Sequence, residues 1–202
     1  MKVNVLITER LIIREFKTSK SDIAALCEIM SDIEVNKYFP WLPIKNEGEA
    51  LDFFHSRIQP RYENKFGYYF AICLKSDDIP IGYITVCGDP NHDLGYGLRK
   101  EFWGDGLVTE AAEKVVSFLK SQGWDYITAT HDVNNPGSGK VMQKIGMSYK
   151  YTFKEQWQPK DILVSFRMYQ LNFDGKEQTY DEYWNKYDDH FIEPPENFLI
   201  KP

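Results

Sequence analysis

The run from Asp93 to His131, DLGYGLRKEFWGDGLVTEAAEKVVSFLKSQGWDYITATH, constrains this chain more than any other stretch. Residues 93–99 read as a strand weakened by two glycines, and a glycine pair, Gly104 and Gly106, follows it. A long helix is predicted over 106–122, with Val108, Ala111, Val115 and Leu119 as its buried stripe. Residues 125–131 are the next strand. Glycines between a strand and a helix start let several main-chain N–H groups turn toward one anion, and the helix terminus adds about half a positive charge.

The rest of the chain fits around that unit. LIIREF (11–16) alternates and predicts a strand, and Ser and Asp caps open a helix with Ile23, Leu26, Met30 and Ile33 at helical spacing. A second helix is expected over 47–59, with Leu51, Phe54 and Ile58 on one face. YYFAICL (68–74) and IGYITVC (81–87), joined by a turn with Asp and Pro, predict a hairpin. A short helix from Pro136 to Ile145 precedes two closing strands, SYKYTF and LVSFRMYQL. The layout is α+β with one mixed sheet. The expected division is a domain over 1–172 and an extension over 173–202. In the extension Tyr180, Tyr183, Trp184 and Tyr187 form an aromatic face on a predicted helix, followed by an extended end. Two readings stand open: the extension docks on the domain, or it pairs with a second copy of the chain as a homodimer.

Charge narrows the partners. The net charge is −6, and the segment from Asp174 to Pro202, with eight acidic and three basic residues, carries −5 of it. No basic patch is left to collect phosphates along a nucleic acid, so nucleic-acid binding is not expected. Three scattered cysteines, Cys27, Cys73 and Cys87, suit neither a disulfide framework nor a zinc site, and no metal is expected. The first residues lack a secretory signal and no run reaches the ~20 apolar residues of a membrane span, so a soluble, cytoplasmic protein is expected.

HDVNNPGSGKV (131–141) imitates a nucleotide phosphate loop and fails the comparison. That loop needs G-x-x-x-x-G-K-[ST], and here Asn134 and Val141 stand at the first glycine and at the magnesium-binding hydroxyl. The segment has another logic: Asn135 is a favoured helix N-cap and Pro136 fits the first helical position. The 104–109 run also misses the dinucleotide fingerprint, because Thr109 stands at its third glycine.

In order and spacing, TERLIIREF, IPIGYITV, DLGYGLRKEFWGDGLVTEAA and NNPGSGKVMQKIGM resemble the GNAT superfamily of acyl-CoA-dependent N-acetyltransferases. Within it they resemble the Rim-type branch that acetylates ribosomal-protein N-termini. The likeness spans about residues 8 to 171. It implies a GNAT-like mixed sheet splayed open between strands 93–99 and 125–131, with acetyl-CoA in the wedge. Pantetheine would pair with backbone near Tyr96, Gly97 and Leu98. The diphosphate would rest on the amides of Phe102, Trp103, Gly104, Asp105, Gly106, Leu107, Val108 and Thr109. Asn135 and Ser138 would line the thioester end.

One position departs from the pattern. Many GNAT members place a proton-donating Tyr seven residues after the Asn, and here that residue is Met142. The resemblance makes Ser138 the candidate acid, with Tyr149 and Tyr151 as replacements. Candidate bases are His131, Asp93 and His92, while Glu110 supports the helix start. The expected function is acetyl transfer to a primary amine, either a protein N-terminus or a small-molecule amine; the alternative, suggested by Met142 and the tail, is a non-catalytic acyl-CoA sensor. The acceptor would be chosen by the 33–66 region and the 154–161 loop.

Overall fold

The computed structural model describes residues 5–198. Its first sheet is antiparallel, with strands in chain order: β1 (Leu6–Ile7), β2 (Leu11–Glu15), β3 (Gly67–Leu74), β4 (Pro80–Cys87) and β5 (Leu94–Leu98). The second contains β6 (Tyr126–Asp132), β7 (Ser148–Trp157), β8 (Ile162–Asn172) and β9 (His190–Phe191), in the order β6-β8-β7-β9. The expected mixed sheet is therefore divided in two. β5 and β6 run parallel and meet at one bridge, Asp93 with Thr128, where the Thr128 N–H donates to the His92 carbonyl at 3.3 Å. Beyond it they part.

Helices cover both faces. On one side lie α4 (Leu107–Ser121) and α5 (Pro136–Lys144), burying Leu107, Ala111, Val115, Leu119 and Met142 against Ile13, Phe70, Ile72, Leu94 and Ile127. On the other lie α1 (Lys20–Ser31), α2 (Glu47–Phe53), a π-helical turn (Phe54–Ile58) and α3 (Gln59–Asn64). They bury Leu26, Ile29, Met30, Phe54 and Ile58 against Tyr69, Ala71, Cys73 and Tyr83. Strand alternation sends Phe70 and Ile72 to the first core and Tyr69, Ala71 and Cys73 to the second. That is why YYFAICL is apolar throughout.

Three stripes differ from the expected phase; in α2 Leu51 is exposed while Ala50 takes the core position. Val108 lies half-buried while Ala112 takes a core position. Ile33 falls beyond α1 and is 76% exposed, its expected role taken by Ile29. Of the cysteines, all are free; Cys73 is buried and the other two are partly so.

After Asn172 the chain crosses the open face of the second sheet. The expected helix shrinks to α6 (Glu182–Lys186), yet its aromatic residues still converge on one surface. Tyr183 and Tyr187 each stack on Phe153 with centroids 5.0 Å apart, and Trp184 meets Tyr151 edge-on at 5.5 Å. The segment then adds β9 to the edge of β7 and places Glu193 against Arg167 (2.7 Å) and Thr152. A short 3-10 turn (Pro195–Asn197) stands where an extended end was expected; residues 199–202 of that end lie outside the described residues.

A buried ion pair fixes α1 to the sheet. Arg14 on β2 donates to both Asp22 oxygens, at 2.7 and 3.1 Å, and Asp22 also accepts the Lys17 N–H. The two side chains are 6% and 2% exposed. Asp22→Ala should cost about 3–5 kcal/mol in urea unfolding, because it strands a buried guanidinium. A loss below 1 kcal/mol would show that Asp78, which also accepts from Arg14, suffices alone.

Among the described residues no helix is long and apolar enough to cross a membrane, and no cluster of three or more His, Cys, Asp or Glu side chains is placed to hold a metal ion.

Candidate active site

The site grows from the gap between β5 and β6. Cys87 donates its N–H to the Asp93 carbonyl, and Arg99 donates its own to the Ile81 carbonyl, so odd-numbered residues of β5 face β4. By alternation the main-chain groups of Leu94, Tyr96 and Leu98 face the wedge. This refines the expected pantetheine strand: Gly97 turns its main chain toward β4, and the Leu98 carbonyl accepts from Trp103 Nε1 at 2.7 Å. The Tyr96 main chain points into the gap.

At the wedge mouth the chain makes a short 3-10 turn over Lys100–Phe102 and then two left-handed glycines, Gly104 at φ 90° and Gly106 at φ 75°. Gly106 caps α4. A Cβ added to Gly104 would meet nothing within 4 Å, and one on Gly106 would meet only Arg10 at 3.9 Å. The cradle is thus open above both glycines, at the end of a helix whose first-turn amides have no intrahelical partner. Arg10 braces it from β2's approach, donating to the Asp105 carbonyl at 3.0 Å and to Glu110 at 2.6 Å. Glu110 takes the supporting role expected of it.

Across the gap, α5 offers Asn135 and Ser138. The Asn135 side chain caps α5 by accepting the Ser138 N–H at 3.3 Å. The Ser138 hydroxyl pairs with the Tyr96 hydroxyl at 2.9 Å, and Tyr96 also donates to the Ser138 carbonyl at 2.8 Å. A tyrosine on β5 and a serine on α5 therefore close one side of the wedge together. Burial pushes the Tyr96 phenol well above its ordinary range, so it stays protonated. Met142 is 1% exposed and part of the core, far from any proton-donating role. Tyr151 donates to the Tyr180 carbonyl and Tyr149 pairs with Thr152, so both alternative acids are engaged elsewhere.

The candidate bases separate onto opposite faces. His131 points toward α5, where a Cβ on Gly139 would lie 2.7 Å from its Nε2; this close seat is what Gly139 serves in the GSGK run. The ring is 4% exposed, its Nδ1 sits 2.8 Å from the Asp132 carbonyl, and burial holds its pKa below the usual range. His92 lies between Trp124 and Tyr126 at 4.4 and 5.0 Å, a packing role. Asp93 shares its face of β5 with Gly95 and Gly97, the face toward Tyr83 and Thr85. Its Oδ1 is buried without a hydrogen-bond partner among the described residues. Burial pushes the carboxyl up to about 7, opposed by the Arg61 charge and by a Thr130 N–H.

The two segments expected to choose the acceptor, 33–66 and 154–161, touch each other. Tyr38 donates to the Asn134 carbonyl at 2.8 Å, and Lys160 donates to the carbonyls of Asn36 and Lys37 at 2.8 and 3.2 Å. Phe39 stacks on Trp41 at 4.7 Å and approaches Tyr83 at 6.2 Å, whereas Trp157 packs on Phe166 at 4.6 Å. Tyr83, whose buried hydroxyl has no partner among the described residues, was missed by sequence reasoning, because an apolar strand run hides a tyrosine.

Residues 10–148 match the model of the acetyltransferase (GNAT) domain family. An uncharacterised N-acetyltransferase, p20, from Bacillus licheniformis is 24% identical over 177 residues, covering 84% of this chain and 96% of that protein. The crystal structure of a GNAT-family acetyltransferase from Bacillus anthracis superposes with TM-score 0.72 at 24% identity, over 85% of this chain and 99% of that one. RimL, a ribosomal L7/L12 alpha-N-protein acetyltransferase in complex with coenzyme A, superposes with TM-score 0.72 at 15% identity, over 86% and 100%.

Proposed function

This chain belongs to the GNAT acetyltransferase family, and on that premise we propose that it moves an acetyl group from acetyl-CoA directly to a primary amine held in the same complex. The acceptor is a protein N-terminus or a small-molecule amine. The observation that carries this reading is the arrangement of the wedge: an open glycine cradle at its mouth, a free main-chain edge along β5, and a buried carboxylate at its apex.

The residues present fit acetyl-CoA. Amides of 102–109 would hold the diphosphate, with the left-handed glycines keeping side chains out of its place. Tyr96 and Leu98 would pair with pantetheine through their wedge-facing main chains, and Asn135 and Ser138 would close the thioester end. The bound thioester supplies an activated acetyl group. The Tyr96 N–H would polarise its carbonyl oxygen, a contribution worth about 2.7–4 kcal/mol when one such donor is removed from other acyl-transfer sites.

Asp93 takes the base role. A carboxyl near neutrality removes a proton efficiently at physiological pH, and an acceptor with an α-amine pKa of ~7.7–8.0 needs little help. His131 would serve poorly, since it is sealed beneath α5 on the other face. Ser138 would pass its own hydroxyl proton to the departing sulfur and regain one from solvent once the thiol leaves, while Tyr96, kept protonated by burial, orients that hydroxyl.

Thiol release from acetyl-CoA, followed across a panel of amines and N-terminal peptides, tests the reading; release with none of them refutes it. Ser138→Ala should lower kcat about 100-fold or more with acetyl-CoA affinity within twofold, the size expected of one general acid. Unchanged turnover would clear Ser138 of the acid role.

A further inference from the structure

We propose that Tyr183, on the segment beyond β8, is a positioning residue for Asp93: acting through Asn91, it fixes the turn that presents the carboxylate and shields that carboxylate from water. The inference rests on Asp93 being the base of the proposed reaction.

One asparagine joins three parts of the molecule. Asn91 Nδ2 donates to the Tyr183 hydroxyl at 2.8 Å, and its Oδ1 faces the Asp93 N–H at 3.4 Å. The Asn91 carbonyl accepts from the Thr128 hydroxyl at 2.6 Å. The link therefore runs from the C-terminal segment, through the turn before β5, to the point where β5 and β6 begin to part. Tyr183 cannot drift from its end of this link, because its ring stacks on Phe153.

The groups whose charge or hydrogen bonding acts on the Asp93 carboxyl come from four elements: Arg61 on α3, Tyr96 on β5, the Thr130 N–H on β6 and Tyr183 on the C-terminal segment. Only Arg61 carries charge among these partners, and it favours the ionised form. What opposes it is exclusion of water, in which Tyr183 would share from the segment's side. Burial and the nearby Asp93 charge keep the Tyr183 phenol protonated. A general base gains nothing from a carboxyl that ionises near 4, so the segment's contribution is to hold Asp93 where its basicity is useful.

The test compares Tyr183→Ala, which removes ring and hydroxyl, with Tyr183→Phe, which keeps the ring. Carbon-13 NMR of labelled aspartate carboxyls follows Asp93 directly, without reliance on turnover. In the full-length chain Asp93 should titrate near 7. In Tyr183→Ala it should fall by about one pH unit or more as water enters, and in Tyr183→Phe by less. The acid limb of kcat/KM should move with the carboxyl, and kcat should fall about tenfold for the Ala chain. A carboxyl that titrates alike in the wild-type and Tyr183→Ala chains overturns the inference. If the carboxyl moves while the acid limb stays, the contact stands and the assignment of Asp93 as base fails instead. Should Tyr183→Ala not fold, Asn91→Ala severs the same link from the domain side with the ring kept, and Asp93 should then fall by the smaller amount expected of Tyr183→Phe; no fall overturns the inference.

Discussion

Calorimetry on a Gly104→Glu chain is expected to show no acetyl-CoA binding at concentrations that saturate the wild type. Two effects combine at this position. Gly104 holds φ 90°, a region that costs other residues about 1–3 kcal/mol. A Cβ there meets nothing among the described residues within 4 Å, so the new side chain projects into the open space of the turn. A carboxylate in that space repels a diphosphate and competes for the first-turn amides of α4. Gly104→Ala separates the causes: it carries the backbone strain without the charge, so it should weaken binding while leaving it measurable. Both chains should unfold cooperatively within a few degrees of each other, because the glycine supports no core contact. Wild-type affinity in Gly104→Glu would remove the diphosphate from this loop.

The glycine turn ahead of α4 was legible in the sequence because its signal is local: two glycines between a strand and an amphipathic helix mark a backbone that turns through left-handed conformations. The two-sided burial of β3 was likewise legible in the unbroken apolar run YYFAICL. What the sequence concealed depends on contacts between distant segments. Asn135 could be a cap or a ligand group, and only the fold shows its side chain accepting the Ser138 N–H. His131 and Asp93 looked equivalent as bases until the alternation of β5 and β6 set them on opposite faces. The aromatic residues of 180–187 read as a helix face because their spacing is helical. Their actual order comes from stacking on Phe153 across some thirty residues of chain, which holds them even where α6 has ended.

Asp93→Asn should lower kcat/KM about 100-fold or more, the scale of a lost general base. It should also change the shape of the pH profile. In the wild type the rate should climb through about 7, where Asp93 loses its proton, and level off as both base and acceptor amine become neutral or ionised as required. The substituted chain lacks that group, so its residual rate should follow only the acceptor's own deprotonation, at ~7.7–8.0 for an α-amine and far higher for a lysine-like one. Stability should move the opposite way. A carboxyl raised from ~3.9 in the unfolded chain to about 7 in the fold binds more protons when folded across that window. Folding therefore weakens as pH rises from 4 to 7 on account of Asp93, and the deficit persists above 7. Removing the charge should recover about 1–3 kcal/mol at pH 8, after allowance for water reaching the partly open residue and for the unpartnered amide left behind. Little should be recovered at pH 4, where the carboxyl is already protonated in the fold. A chain that turns over more slowly yet resists urea better at pH 8 would be the signature of a group held under strain for its chemistry. An Asp93→Asn chain with wild-type turnover, or one no more stable at pH 8 than at pH 4 relative to wild type, would show that this carboxylate is neither the base nor kept from water.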